Sequence, residues 1–326
     1  MAEKMKWGIL STARINQGFI PALRCHPLSE LHAVGSRSLE RAEEYAAEWE
    51  IPRYYGSYDE LLADPEIQVI YNPLPNYLHA EWTIRACQAG KHVLCEKPIA
   101  LTPEEVDAIA AAARDNGVIV TEAFKFRHHH QTELVLQAIQ QGRIGHIEGM
   151  RGAFLFALQD PINHRWLPET GGGSLFDVGC YPISYARMIT GEPPEEVFGF
   201  QRLSSSGVDD LFIGELRYPG DILVQITAGF TVPKFTSFDI FGSRGRISMD
   251  GPYNPRPHNR LVITSGDEEE VHTFPMFDSF LGEIEDIALA ITEGRQPRMS
   301  LEESRDNTAT MVALLESART GKPVRL

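Results

Sequence analysis

Short apolar runs alternate with helix-length segments through the first third of the chain, and this alternation limits the possible folds more than any other feature. The runs are KWGIL, LHAVGS, QVIYN, HVLCE and VIVTEA, with predicted helices between them at 15–24, 39–49, 77–89 and 103–116. Alternating strands and helices form βαβ units with parallel strands and right-handed crossovers. The sequence therefore predicts a doubly wound, nucleotide-binding α/β domain over residues 1–122.

The pattern changes after residue 123. One predicted helix at 131–141, and a second at 182–190, accompany long strands that are separated by Gly and Pro. Consecutive strands with turn signals between them favour a mostly antiparallel sheet. Predicted helices at 279–293 and 301–319 end the chain. We therefore expect an α+β domain with a large open sheet over residues 123–326.

The charge and composition exclude several classes of partner. The 326 residues carry a formal charge of −15, and no Lys/Arg run offers the basic surface that nucleic-acid binding requires. No apolar run reaches the roughly 18 residues of a membrane span, and MAEKMK leads straight into a strand. The four cysteines lack C-x-x-C spacing, so neither a zinc knuckle nor a disulfide framework is expected. We expect a cytoplasmic protein that binds neither nucleic acid nor membrane.

The stretch WGILSTARINQGF has the form of a nucleotide-binding strand-to-helix turn without its glycines. In the G-x-G-x-x-G fingerprint, glycine permits a tight turn and close approach to a pyrophosphate. Ser11, Ala13 and Asn16 occupy those positions here. Amides at a helix N-terminus could still bind pyrophosphate, and a plain structural turn is the alternative. The cofactor-binding candidates in this turn are Ser11, Thr12, Ala13, Arg14 and Ile15.

The second predicted strand ends in AVGSRSLER, which bears on the choice of cofactor. NAD-selective sites place Asp or Glu here to bond the ribose 2′-hydroxyl, whereas arginine accommodates a 2′-phosphate. Ser36, Arg37, Ser38 and Arg41 form a donor set that suits a phosphate. The alternative is that Ser38 caps a helix and Arg37 is solvated. In so acidic a chain we favour NADP(H), with NAD(H) as the alternative.

Two further strand ends carry unusual residues, and ligands bind outside the carboxyl ends of parallel strands. The loop in YNPLPNYLHAEW is stiffened by prolines and supplies the cofactor candidates Pro73, Leu74, Asn76 and His79. Asn76 could instead cap the next helix. In LCEKPIALT, Lys97 follows Glu96 at the end of a buried strand, where an unused charge would be costly. A structural Glu96–Lys97 pair at a domain hinge is the alternative.

The second half contributes the segment NHRWLPETGGGSLFDVGCYPISYARM. Its glycines allow the backbone to approach a ligand closely, and Asp177 and Tyr181 have a spacing that puts both on one side of a helix. Asp177 as a helix cap and Tyr181 as a half-buried core residue are the alternatives. Neighbouring candidates for the cofactor site are Phe124, Arg165 and Trp166. Those for the substrate site are Phe124, Arg127 and His164.

Three consecutive histidines, His128, His129 and His130, suggest a metal ion at first sight. Their side chains cannot all converge on one ion from a regular strand or helix, and no carboxylate lies at ligand spacing. We therefore expect these residues to line a pocket or the surface, and no metal site.

Two of these motifs together resemble a known family. CEKP in the first domain and GGGSLFDVGCYP in the second are similar to the signature motifs of the Gfo/Idh/MocA oxidoreductases. The resemblance spans essentially the whole chain and includes AVGSRSLERAEEYAAEW, PNYLHAEWTIRACQAGKHVLCEKP, SRGRISM and EIEDIALAI. It implies a Rossmann domain followed by a domain whose open sheet mediates dimerisation. A homodimer or homotetramer is therefore expected.

The resemblance also implies an activity. Lys97 and Tyr181 would be the catalytic pair, with Asp177 nearby, in an NADP(H)-dependent dehydrogenase or reductase of a sugar, polyol or vicinal diol, similar to D-xylose or dihydrodiol dehydrogenases. Free Lys and Tyr both titrate near pH 10, so either group needs a nearby positive charge to act as a base at neutral pH. We assign Tyr181 as the acid/base and Lys97 as its electrostatic partner and substrate anchor. Most relatives keep glycine at the position of Ser11.

Two other functions remain open at this point. One is a glucose–fructose-type sugar oxidoreductase that keeps its nucleotide bound between half-reactions. The other is a ligand sensor without catalysis, although the presence of Lys97, Asp177 and Tyr181 argues against it.

Overall fold

The computed structural model describes residues 4–326, which divide into two units. The first unit runs up to Phe124 and also includes Asp278–Ser304. The second consists of Lys125–Phe277 and Arg305–Leu326. The C-terminal part of the chain thus contributes to both units.

A six-stranded parallel sheet forms the centre of the first unit. Its strands are β1 (Met5–Leu10), β2 (Ser29–Gly35), β3 (Arg53–Tyr55), β4 (Val69–Asn72), β5 (His92–Glu96) and β6 (Val120–Ala123). The strand order is β3-β2-β1-β4-β5-β6, which reverses between β1 and β4 as in doubly wound dinucleotide-binding folds. The connecting helices are α1 (Asn16–Cys25), α2 (Leu39–Glu48), α3 (Tyr58–Ala63), α4 (Asn76–Gln88) and α5 (Pro103–Asn116). The predicted Rossmann fold is confirmed.

Local sequence signals explain where several of these helices begin. Ser38 and Ser57 cap α2 and α3 by accepting hydrogen bonds from the amides of Arg41 and Glu60. Thr102 and Glu105 form a reciprocal capping box at the start of α5. That helix has the predicted bounds because its sequence carries both the box and a proline at the first helical position.

Alternate strand residues face opposite sides of the sheet, and each side has its own apolar cluster. Leu94 belongs to the cluster around Trp7 and Phe19, whereas its neighbours Val93 and Cys95 belong to the other. The helix at Ser279–Glu293 completes the first cluster with its residues Ile284, Ile287 and Ala288. A segment far along the chain therefore covers one face of the nucleotide-binding sheet.

A nine-stranded sheet dominates the second unit. Its strands are β7 (Ile147–Leu155), β8 (Glu196–Leu203), β9 (Asp209–Tyr218), β10 (Ile222–Gly229), β11 (Phe235–Gly242), β12 (Gly245–Asp250), β13 (Leu261–Ser265), β14 (Glu268–His272) and β15 (Val324–Arg325). The order is β14-β13-β12-β11-β7-β10-β9-β8-β15. The β7–β10 pair is parallel and the other pairs are antiparallel. The predicted large, mostly antiparallel sheet is confirmed.

Two facing glycines let a helix approach this sheet. Gly199 on β8 pairs with Gly214 on β9. A Cβ atom at Gly199 would lie 2.7 Å from the carbonyl oxygen of Leu314, and one at Gly214 would lie 2.9 Å from the Leu314 side chain. The amide of Gly199 also donates to Ser317 at 3.1 Å. Leu314 and Ser317 lie on the last helix, Leu301–Thr320, which therefore covers one face of the sheet.

The other helices of the second unit are α6 (His130–Gln140) and α7 (Cys180–Thr190), and the two C-terminal helices are α8 (Ser279–Glu293) and α9 (Leu301–Thr320). A π-helical turn, Leu175–Gly179, runs directly into α7. This turn moves the start of the helix before the predicted position at residue 182.

The three histidines differ in burial and in hydrogen bonding, although the rings of His129 and His130 both contact Phe277. His129 caps α6, because its Nδ1 accepts from the amide of Gln131 at 3.0 Å. Burial lowers the pKa of His129 to about 4, so the ring is neutral and keeps this acceptor at neutral pH. His128 is buried, and the side chain of His130 is exposed and contacts Glu133.

Within residues 4–326, no helix combines the length and the apolar character needed to cross a membrane.

Candidate functional site

The turn after β1 keeps the backbone conformation of a glycine-rich loop without the glycine. Ser11 has a φ of 77°, in the left-handed region that favours glycine. Its amide donates to Gly35 at 2.9 Å, and the side-chain amide of Asn16 donates to the carbonyl of Ser11 at 3.0 Å. Asn16, at the last of the three fingerprint positions, thus holds the turn in place.

The start of α1 is open to a ligand. Its cap residue, Ile15, makes no side-chain cap hydrogen bond, and the first local backbone hydrogen bond at this helix start runs from the amide of Asn16 to the carbonyl of Ala13. Unsatisfied amides at a helix N-terminus form a site for an anion. The hydroxyl of Ser11 is also buried with no hydrogen-bond partner among residues 4–326. Both observations fit a bound pyrophosphate.

The turn after β2 lies beside the first. The Nε of Arg41 donates to the hydroxyl of Thr12 at 2.9 Å, which joins the two turns. Burial raises the pKa of Tyr58, whereas the positive charges of Arg37 and Arg41 both lower it. Both guanidinium groups therefore act electrostatically on the same tyrosine. Both arginines are exposed, whereas Ser36 is buried. Ser38 does cap α2, so its capping role is confirmed and is compatible with a phosphate nearby.

The loops after β4 and β5 are joined through His79. This residue is 1% exposed; its Nδ1 lies 2.7 Å from the carbonyl oxygen of Pro98 and its Nε2 lies 2.6 Å from that of Leu74. Burial lowers the pKa of His79, and the two carbonyls and Glu96 oppose that effect. His79 therefore holds one loop against the other.

The other residues of the first loop have structural partners of their own. Asn72, at the end of β4, donates to the carbonyl of His79 and to the hydroxyl of Thr83, and accepts from the amide of Leu74. Pro73 is buried, and the cap of α4 is Pro75. Asn76 is the first helical residue, so the expectation that it caps α4 is wrong. Pro75, one residue earlier, already occupies the cap position.

Lys97 follows β5 on a segment that is fixed on both sides. The hydroxyl of Tyr71 donates to Glu96 at 2.8 Å, and the buried carboxylate of Glu122 accepts from the amide of Ile99 at 3.0 Å. The Lys97–Pro98 peptide bond is cis. Lys97 is half-buried. Tyr71 and Glu122 were not candidates from the sequence, since tyrosine and glutamate within strands give no local signal.

In the second unit, the glycine run is required by close backbone contacts. A Cβ atom at Gly172 would lie 2.5 Å from the carbonyl oxygen of Arg165, so no larger residue fits there. Gly173 has a φ of 108° and donates from its amide to the same carbonyl at 3.0 Å. These contacts tie the His164–Trp166 turn to the segment that carries Asp177 and Tyr181.

Asp177 and Tyr181 lie on the π-helical turn and on α7. Asp177 is 6% exposed and pairs with Arg165, whose Nε lies 2.8 Å from its Oδ2. The expectation of Asp177 as a helix cap is wrong, because the π-helical turn places it inside a helical segment. Tyr181 is buried to 9% exposure among the rings of Phe154 and Tyr253. One continuous helical segment thus carries both the carboxylate of Asp177, which is paired with Arg165, and the phenol of Tyr181, which is surrounded by aromatic rings.

The remaining candidates have contacts within their own units. Trp166 donates to the carbonyl of Asp160 at 3.0 Å and meets the ring of Phe230 edge-on. The carbonyl of His164 accepts from Thr170 at 2.6 Å. Arg127 is buried and donates to Ser184 on α7 at 3.1 Å. Phe124, at the end of the first unit, is fully buried.

A His–Asp–Glu cluster in the first unit has the spacing of metal ligands. His32, Asp64 and Glu66 place their ligand atoms within 4.8 Å of one another. Arg53 pairs with both carboxylates, and Lys6 pairs with Glu66. Side-chain cations therefore already neutralise this cluster.

The left-handed backbone conformation of Ser11 leads to a prediction about stability. We expect Ser11→Gly to raise the free energy of unfolding by about 1 kcal/mol, because glycine adopts this φ without strain and removes a buried hydroxyl. Urea unfolding monitored by circular dichroism measures the change. Ser57→Gly, at a capping residue with a φ of −143°, is the control and should lower stability slightly. A less stable Ser11→Gly protein would show that the serine side chain supports the turn.

Two family models match the chain. An oxidoreductase family with an NAD-binding Rossmann fold, GFO_IDH_MocA, matches residues 5–124, and the GFO/IDH/MocA C-terminal domain matches residues 132–248.

Individual relatives match over most of their length. D-xylose 1-dehydrogenase (NADP(+)) 2 of Haloferax volcanii is 35% identical, over 99% of this chain and 100% of the relative. Trans-1,2-dihydrobenzene-1,2-diol dehydrogenase of Mus musculus is 33% identical, over 82% of this chain and 79% of the relative. The crystal structure of a 3-ketoreductase from Actinomadura kijaniata with NADP and TDP-benzene has a TM-score of 0.90 at 30% identity, over 97% and 98% of the two chains.

These matches confirm the predicted family, fold class, enzyme class and nicotinamide cofactor. They do not favour the tight-cofactor oxidoreductase or the silent sensor. The chain belongs to the Gfo/Idh/MocA family and is an NAD(P)-dependent oxidoreductase.

Proposed function

We propose that this enzyme transfers hydride between NADP(H) and a carbinol or carbonyl carbon of a sugar, polyol or vicinal diol. The observation that carries the proposal is the Asp177–Arg165 pair on the segment that leads to Tyr181, in a chain that also has Lys97 at the end of β5. The relatives named for xylose and dihydrodiol substrates support this substrate class.

The residues divide the chemistry between them. A bound nicotinamide supplies the hydride acceptor or donor. In the oxidative direction the nicotinamide would take the hydride of the carbinol carbon, and Tyr181 would take the hydroxyl proton, which leaves the carbonyl. Lys97 binds the substrate oxygen and its positive charge favours the phenolate of Tyr181. Asp177, neutralised by Arg165, accepts a hydrogen bond from a second substrate hydroxyl without adding net charge beside the phenol.

The catalytic assignment predicts that turnover falls while cofactor affinity is kept. Tyr181→Phe and Lys97→Ala should each lower kcat by about 10²- to 10⁴-fold, the usual contribution of a positioned acid or base. NADPH affinity, measured by fluorescence titration, should stay nearly constant in Tyr181→Phe. The double variant should lose much less than the product of the single losses, because groups that act on one proton transfer are not additive.

Tyr185→Phe is the matched control, since Tyr185 lies one turn further along α7 with its hydroxyl against the sulfur of Met249 at 3.3 Å. Assays with aldoses, polyols and dihydrodiols, followed at the reduced-nicotinamide band, identify the substrate. Unchanged turnover in both single variants would contradict the assignment.

We further propose that the enzyme selects NADP(H) through the turn after β2. Arg37 and Arg41 are exposed at the carboxyl edge of the sheet, and Arg41 is oriented by Thr12 of the neighbouring turn. A guanidinium group binds a phosphate through two parallel hydrogen bonds, and NAD(H) has no 2′-phosphate to receive them.

The cofactor assignment is tested by removing each guanidinium. Arg37→Ala and Arg41→Ala should each raise the Kd for NADP⁺ by roughly 10-fold or more and leave the Kd for NAD⁺ almost unchanged. Isothermal titration calorimetry measures both constants. Arg114→Ala, at the exposed end of α5, is the control. Equal weakening for the two cofactors would place the 2′-phosphate elsewhere.

We propose that the nine-stranded sheet pairs with a second copy of the chain. One face is covered by α9, and the opposite face presents exposed apolar side chains: Phe200, Ile213, Leu223, Phe235 and Phe241. Phe200 pairs across strands with Ile213, so these two side chains are neighbours on this face. Several exposed apolar side chains on one face of a sheet favour an interface. The same surface allows a dimer or, with further contacts, a tetramer.

Charged substitutions at these apolar side chains test the proposed interface. The double variant Phe200→Glu and Leu223→Arg should sediment as a monomer at micromolar concentration, because burying unpaired charge is costly. Wild type and Leu136→Glu, a control on the exposed face of α6, should sediment as dimers or tetramers. A monomeric wild type, or an unchanged assembly in the double variant, would contradict the proposal.

We propose the cytoplasm as the compartment. In the part of the chain that the structure describes, no disulfide joins Cys25, Cys87, Cys95 and Cys180, and Cys25 is exposed. Cysteines without disulfides suit a reducing compartment.

A further inference from the structure

Strand β9 begins with a buried carboxylate that the activity described above does not use. Asp209 is 4% exposed. Its Oδ2 accepts from the hydroxyl of Ser174 at 2.6 Å and from the amide of Leu175 at 2.8 Å. Both donors lie where the glycine run passes into the π-helical turn, and Ser174 is fully buried.

The backbone of the glycine run is shaped around this carboxylate. A Cβ atom at Gly173 would lie 2.2 Å from Oδ1 of Asp209, which is closer than any side chain tolerates. The φ of 108° at Gly173 also excludes other residues. The amide of Asp177 donates to the carbonyl of Gly173 at 3.2 Å, so the first hydrogen bond of the helical segment starts at this same residue.

The contact with Asp209 controls residues further along the segment. The π-helical turn and α7 are continuous from Leu175 to Thr190, so they rotate together. A slip of one residue at the start of a helix turns every later side chain by about 100°. Asp177 lies two residues after Leu175, and Tyr181 lies six residues after it. The direction of both side chains therefore depends on how Leu175 is held.

Electrostatics agree with this arrangement. Burial raises the pKa of Asp209 to about 6, and hydrogen bonds from Ser174 and Leu175 oppose that effect. The carboxylate is therefore mainly ionised at neutral pH. A negative charge beside the first amides of a helical segment is stabilised by the peptide dipoles.

We propose that Asp209 is a positioning residue, which fixes the segment that carries Asp177 and Tyr181 by holding Ser174 and Leu175. The proposal rests on the proposed catalytic role of Tyr181. Asp209 touches neither substrate nor cofactor in this scheme; it acts on turnover through the direction of the Tyr181 side chain.

The experiment compares Asp209→Asn, Asp209→Ala and Ser174→Ala with a neighbouring control. Asp210→Asn is that control, because Asp210 is the next residue of β9 and pairs instead with Arg202 at 2.7 Å. Two readouts are taken on each full-length protein. One is kcat, KM and NADPH affinity, and the other is hydrogen–deuterium exchange of peptides that cover residues 173–190.

In Asp209→Ala we expect kcat to fall about 100-fold, the effect of misplacing a reacting group by about 1 Å. KM and NADPH affinity should change much less. Asp209→Asn keeps one acceptor oxygen and should recover part of the lost kcat, and Ser174→Ala should lower kcat by a smaller factor. Exchange should increase over 173–190 and stay unchanged in the six-stranded sheet. Asp210→Asn should behave as wild type in both readouts.

The outcomes separate this inference from the proposed function. A kcat in Asp209→Ala equal to that of Asp210→Asn, or unchanged exchange over 173–190, would overturn the positioning role. If wild type acts on no sugar, polyol or diol, the proposed function fails and the exchange readout alone decides whether Asp209 holds the segment. Should Asp209→Ala fail to fold, Asp209→Asn and Ser174→Ala carry the same comparison.

Discussion

The parallel arrangement of β1 to β6 is the constraint on which the nucleotide-binding half of this enzyme depends. Parallel strands bring all their carboxyl ends to one edge, so residues far apart in sequence meet there without any long loop. The bond between Arg41 and Thr12, and the bridge of His79 between Leu74 and Pro98, both cross that edge. Each bond joins turns that follow different strands. Two pairs of neighbouring turns along this edge are thus joined by polar contacts.

The second unit positions its candidate functional residues by a different method. Its strands are mostly antiparallel, and the residues that matter lie on one helical segment above the sheet rather than at strand ends. Backbone contacts at Gly172 and Gly173 and the pair between Arg165 and Asp177 hold that segment at its start. A π-helical turn inside the segment widens the helix locally, a feature that often accompanies functional sites.

Much of the fold follows from the sequence because its signals are local. The capping box at Thr102 and the alternation of apolar runs are read directly from neighbouring residues. The short elements β3 and α3 were not predicted, since a strand of three residues has too little periodicity to detect. Asn76 and Asp177 were interpreted as possible caps from residue type alone. In the structure neither residue is a cap, because Pro75 caps α4 and Asp177 lies inside the π-helical turn.

Within the candidate site, the sequence identified residues whose chemistry is unusual for their position, such as Lys97 and Arg37. It could not identify Tyr71, Glu122 or Asp209, whose partners lie 25, 23 and 35 residues away. Ordinary strand residues acquire such roles only through long-range contacts. The substitution of glycine by Ser11 shows the reverse case, because the backbone conformation is kept although its usual sequence marker is missing.

The place of α8 in the first unit has a consequence for how this protein can be divided. Ile284, Ile287 and Ala288 fill the same apolar cluster as Trp7 and Phe19. A fragment that ended at Phe124 would leave those aromatic rings facing water, so the nucleotide-binding half is not an autonomous stretch of polypeptide. Synthesis on the ribosome must pass residue 288 before this half can close its core.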